Sequence, residues 1–248
     1  MKRIILISAA SLLLAVLPAR SNAKVDFLLP GLGLDGVALQ PGSKVSYLVE
    51  STAFGVTDST LLNISIDRDI NHSILVSVVS SPYPFSSEDA VTVLLRFAPG
   101  TVEIRDAARF HSALEEILVK EGEQDFRRPT DKEIKDFGID DLFIPRSSGM
   151  KVVVGDSAVV ETPSGTFYCQ VASYSEHKEE LLNLGGVRAK KVEEVKTTIW
   201  QSNDVPIFHL VKSRLERAKS ISSDSEAKGR PAGADVTITR TILVSFSK

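Results

Sequence analysis

The side chains that could do chemistry are few and scattered along the chain. His111 and Glu115 stand four apart in a run with helical spacing and could share a face, but the surrounding residues do not form H-E-x-x-H. His177 lies within Glu176, Lys178, Glu179 and Glu180, a solvated charged run, and His72 falls in a turn. His209, between Phe208 and Leu210 on an expected strand, reads as a histidine at the edge of a core. A nucleophile elbow of the form Gly-x-Ser-x-Gly does not occur, and the many carboxylates show no recognisable acid/base pairing. Cys169 is the only cysteine, so neither an internal disulfide nor a cysteine-based zinc site can form. It sits in Thr166-Phe167-Tyr168-Cys169-Gln170-Val171, where a buried core thiol is expected. Gly31-Leu32-Gly33-Leu34-Asp35-Gly36 reproduces the letters of the dinucleotide fingerprint. That motif works only between a strand and a helix whose N-terminus receives a pyrophosphate. Pro30 before it and Pro41 after it exclude the helix, and the segment reads as a linker. No catalytic residue, no metal ligand set and no cofactor is therefore expected.

The N-terminus speaks to compartment. Lys2 and Arg3 precede an apolar run from Ile4 to Leu17, which ends at Pro18 and Arg20. That is the length of a signal-peptide core and short of the roughly 20 residues a membrane span needs. Ser21-Asn22-Ala23 places small residues where a signal peptidase reads, so residues 1–23 are expected to be removed and 24–248 to act as one domain, periplasmic or secreted. Removal takes away Lys2, Arg3 and Arg20 and no acid, leaving the mature chain three units more negative than the −3 of the full sequence. An acidic chain is a poor partner for nucleic acid. No later segment is apolar enough to be a transmembrane segment of the mature chain.

The elements that must position any site are mostly strands. Period-two alternation marks Lys44–Thr52, Ser59–Ile66, Ser73–Ser80, Ala90–Phe97 and Thr101–Arg105. Phe110, Leu114, Ile117 and Leu118 then follow helical spacing over Asp106–Val119. Thr130-Asp131-Lys132-Glu133 has the form of a capping box opening a second, short helix. Residues 106–147 thus read as a helical, charged insertion. Long strands follow at Gly165–Ser175, Val187–Gln201, Pro206–Ser220 and Asp235–Ser247, with a tight turn at Asn203-Asp204. On the last, Val236, Ile238, Ile242, Val244 and Phe246 form an apolar face opposite a polar one. The fold class expected is mainly β (α+β), a curved antiparallel sheet or half-barrel with a helical insertion.

Two motifs carry a resemblance. Thr162-Pro163-Ser164-Gly165-Thr166-Phe167-Tyr168-Cys169 precedes Trp200-Gln201-Ser202 and Val205-Pro206-Ile207-Phe208-His209-Leu210-Val211-Lys212, while Gln40–Tyr47 looks like an opening strand. This order resembles exported bacterial proteins related to the lipoprotein-carrier half-barrels. The resemblance covers the first strand and residues 162–212. It implies a curved antiparallel sheet with helices against the concave side, and it brings no catalytic residues.

The expectation is a non-enzymatic envelope protein whose curved sheet holds an apolar ligand or lipidated partner, with Trp200, Phe208, Leu210, Ile242 and Phe246 as the contacting side chains. The alternatives are an envelope interaction module without a small-molecule ligand and, third, a hydrolase. A deep apolar pocket would mark the first, and a filled core beside an exposed apolar patch the second.

Overall fold

A computed structural model describes residues 37–84, 86–105, 107–136, 152–184, 187–223 and 235–248. The expected signal peptide and the glycine motif lie outside the described residues, as do residues 137–147 of the expected insertion. Twelve strands and two short helices are present among the described residues: β1 (Val37–Ala38), β2 (Lys44–Ala53), β3 (Val56–Arg68), β4 (Ile74–Pro82), β5 (Val91–Phe97), β6 (Glu103–Ile104), α1 (Ala107–Ala113), β7 (Leu114–Glu121), α2 (Asp131–Asp136), β8 (Val153–Thr162), β9 (Gly165–Leu184), β10 (Val187–Gln201), β11 (Leu210–Ser223) and β12 (Asp235–Ser247).

Ten of the strands form one antiparallel sheet in the order β7-β5-β4-β3-β2-β12-β11-β10-β9-β8. The two halves of the chain meet where β12 pairs with β2, and β7 and β8 are the outermost strands. β8 also approaches β11 and β12 across the sheet, so that end curls into a half-barrel. In the first half, alternation produces the core directly. Val45, Ile64, Val78, Val93 and Val119 stand in one cross-strand row, all buried. Each such side chain contributes about 1.5–3 kcal/mol by leaving water. α1 closes this core through Phe110, which meets Phe97 edge-on at 5.7 Å.

The expected long helix over Asp106–Val119 is corrected here. Only Ala107–Ala113 is helical, and Leu114–Glu121 is an outer strand paired with β5. Leu114, Ile117 and Val119 face Phe97, Leu95 and Val93, so the same apolar residues satisfy a strand once that partner is available. Thr101–Arg105 shortens to a two-residue strand pairing with β1 outside the main sheet. The capping box forms: the Thr130 N–H donates to Glu133 at 2.7 Å, and the Glu133 N–H donates to Thr130 Oγ1 at 3.3 Å. The Arg127 guanidinium, then the Thr130 bonds, hold the Glu133 carboxyl down to about 2. This depressed value makes the cap's contribution fully present above the ordinary carboxylate range, and it is lost as pH falls through about 2. Acid titration by NMR should therefore leave the Thr130 amide in place at pH 3; its release near pH 4 would contradict the arrangement.

The inner face of β12 differs from the alternation that the sequence suggests. Thr239, Thr241 and Leu243 are buried, whereas Val236 is exposed and Ile238, Ile242 and Val244 are half-buried. A bulge between Leu243 and Ser245 then reverses the parity, so Phe246 pairs with Val45 on the core side. Gly122, at φ 55° after β7, marks a second tight point, because a Cβ there would lie 2.6 Å from the Glu88 carbonyl oxygen. Gly122→Ala should lower stability by about 1–3 kcal/mol through that clash, read as a fall in denaturant midpoint.

Candidate functional site

The segment that joins β10 to β11 decides what the curved sheet can hold. A two-residue turn at Asn203-Asp204 is not what forms. Residues 202–209 make a longer loop that folds inward, burying Val205, Pro206, Ile207 and Phe208. A buried loop must satisfy its own backbone. The Ser202 N–H donates to the His209 carbonyl at 2.8 Å and the Val205 N–H to the Ser202 carbonyl at 3.1 Å. Gln201 Nε2 donates to the Phe208 carbonyl at 3.2 Å. The Ala38 N–H donates to the Ile207 carbonyl at 3.1 Å, tying the loop to β1. Below it, the Tyr47 hydroxyl donates to the Leu210 carbonyl at 3.2 Å, and its burial pushes that phenol well above its ordinary range. Ile207 and His209 hold positive φ angles of 70° and 56°, a conformation that costs a β-branched residue about 1–3 kcal/mol.

The five residues expected to contact a ligand separate under this geometry. Phe208 and Leu210 are fully buried members of the core, and Phe246 packs against that core with its ring 5.9 Å from Phe167. Trp200 is half-buried at the margin of that same core, with Lys212 Nζ 5.3 Å from its ring centroid. Ile242 is half-buried and pairs with Lys212, on the Trp200 side. The Trp200-Gln201-Ser202-Asn203-Asp204-Val205-Pro206 run is thus accounted for by folding: Ser202 braces the loop, Val205 and Pro206 are buried, and Lys212 covers Trp200.

The polar candidates are equally dispersed. His111 lies against the Phe110 ring on α1, and His177 pairs with Glu179 at 3.0 Å on β9. His209 Nδ1 is buried without a hydrogen-bond partner. Among the described residues no group of three or more histidine, cysteine, aspartate or glutamate side chains is placed to hold a metal ion. Cys169 is buried as expected, and desolvation raises its thiol to about 11. It should resist thiol reagents in the folded protein and react only on unfolding; stoichiometric labelling under native conditions would contradict its burial.

What the geometry does present is an apolar surface on β8 and β9. Val159 and Tyr168 are a direct cross-strand pair, 59% and 82% exposed, facing away from Val160 and Phe167 on the core side. Val153 and Val154 extend the exposed apolar stretch along β8. β8 is an outermost strand, so its backbone also offers groups to a further strand. The opposite outer strand is guarded. Val119 and Arg127 exchange backbone hydrogen bonds of 2.8 and 2.9 Å, and the Arg127 side chain is tied to Glu121 and Glu133.

The fold and this surface define an open, curled antiparallel half-barrel with a packed interior and an apolar edge. Among solved structures the chain is similar to a candidate exported protein with a YmcC-like fold from Bacteroides fragilis NCTC 9343, at 12% identity and a TM-score of 0.34, covering 86% of this chain and 100% of that one. It is also similar to a candidate lipoprotein from Parabacteroides distasonis ATCC 8503, at 9% identity and a TM-score of 0.35, covering 86% and 100%. A DUF1329 family protein from Desulfovibrio piger ATCC 29098 matches at 9% identity and a TM-score of 0.29, covering 82% and 84%. No protein-family model and no curated protein matches the chain.

Proposed function

We propose that this is an exported, non-catalytic binding protein that engages another envelope component through the apolar edge of β8 and β9, with its interior filled by its own chain. The observation that carries the reading is the Val159–Tyr168 pair, two large apolar side chains facing water together across the outermost strand β8 and its neighbour β9. Contiguous exposed apolar surface of this kind marks interaction sites. Burial of Phe208 and Leu210 supports the same reading, because side chains packed that tightly serve the core. The competing reading, an apolar ligand or lipidated partner held against the concave face through Trp200, Phe208, Leu210, Ile242 and Phe246, requires residues 202–209 to leave that core.

Titration with the apolar fluorophore bis-ANS separates the two. Val159→Lys/Tyr168→Lys should weaken probe binding by tenfold or more with the denaturant midpoint unchanged, since both side chains are already in water. Undiminished binding in that variant would overturn the edge reading. Export has its own check. Secreted material should begin at Lys24, because Ser21 and Ala23 fit a peptidase site; an intact mass retaining residues 1–23 would contradict it.

A further inference from the structure

The edge of β8 is suited to one partner in particular, and we propose that it is a second copy of this chain, added antiparallel along Ser157–Glu161 about a two-fold axis at Val159. This rests on the reading of β8 and β9 as a binding edge. A register shift between Val154 and Ser157 breaks the regular strand at Gly155-Asp156, so orderly strand addition is confined to the run from Ser157 onwards.

Within that run the sequence selects one axis. In an antiparallel two-fold pair, residues equidistant from the axis face each other on the same side. An axis at Ala158 sets Asp156 against Val160, whose side chain lies on the core side. One at Val160 sets Ser157 against Pro163, which has no N–H to donate. An axis at Glu161 opposes the carboxylate to its own copy. Only the axis at Val159 gives compatible pairs across Ser157–Glu161: Val159 against Val159, Ala158 against Val160 and Ser157 against Glu161, a hydroxyl facing a carboxylate. The same axis joins the two Val159–Tyr168 pairs into one apolar strip and extends the core side through Val160 and Ala158 of the two copies. The run is short, so the association is expected to be weak and concentration-dependent.

Sedimentation equilibrium of the wild-type protein should show a monomer–dimer equilibrium that Val159→Lys abolishes, because it places lysine opposite lysine. Val159→Cys should form an intermolecular disulfide under mild oxidation, since directly opposed positions bring Cβ atoms within about 4.5–5.5 Å. Val236→Cys, 50% exposed on β12, should cross-link at least tenfold more slowly. A wild-type chain that stays monomeric at every concentration, or equal cross-linking of the two cysteine variants, overturns the self-pairing. If the Val159→Lys/Tyr168→Lys variant nevertheless loses its apolar probe, the edge remains a binding surface for a different protein and only the second-copy proposal fails.

Discussion

Replacing Phe208 by alanine is expected to cost about 3–5 kcal/mol of stability, the range for emptying a fully packed aromatic site. Phe208 sits in the core within a loop that the Ser202, Gln201 and Ala38 hydrogen bonds hold in place. The lost side chain leaves a cavity that this braced loop cannot readily collapse into. In urea titrations the midpoint should fall sharply with the slope unchanged. Ile242→Ala, at a half-buried position on the Trp200 side, should cost distinctly less. A small effect at Phe208 together with a large one at Ile242 would mean that the loop does not fill the interior.

The second large effect has the opposite sign. Thr197, Ser213 and Thr241 are buried on the inner face of β10, β11 and β12, and none of their hydroxyls has a hydrogen-bond partner. Ser213 and Thr241 pair directly across the strands, and Thr197 lies diagonal to Ser213. An unsatisfied buried hydroxyl costs about 1–3 kcal/mol, and valine has nearly the shape of threonine without that cost. Thr197→Val and Thr241→Val should each raise the denaturant midpoint. Their sum need not be additive, because both flank Ser213. Loss of stability in both variants would show that the hydroxyls are satisfied in solution, with ordered water as the natural partner.

These hydroxyls also show where sequence patterning stops being informative. β10 and β12 have the boundaries expected from their residues, and the antiparallel curved sheet follows from the same alternation. The buried face of β12 is not legible in the sequence, because Thr239 and Thr241 occupy positions that patterning assigns to water, and because the bulge at Val244 reverses the parity before Phe246. β9 extends beyond its expected end at Ser175 to Leu184. Past Tyr174 it is carried by charge pairs across strands, such as Lys191 with Glu180 at 3.0 Å, rather than by apolar alternation. β8 was missed because Gly155 and Asp156 interrupt its run. Its exposed Val159 has the same residue type as a core position, so exposure could not be read directly. One signal was available: Val152-Val153-Val154 and Ala158-Val159-Val160 are apolar at consecutive positions, which in a strand makes both faces apolar. Hydrophobicity is shared by packed and ligand-binding side chains alike, so the sequence of Phe208 and Leu210 does not separate core from contact surface.

Methyl NMR during a bis-ANS titration reports which side chains of the half-barrel an apolar molecule meets. Binding at the exposed edge should shift the Val153, Val154 and Val159 methyls progressively and leave the Ile199, Leu215 and Leu243 methyls of the inner face unmoved. Shifts concentrated at Ile199, Leu215 and Leu243, with the β8 valines unchanged, would place the binding site inside the half-barrel and contradict it.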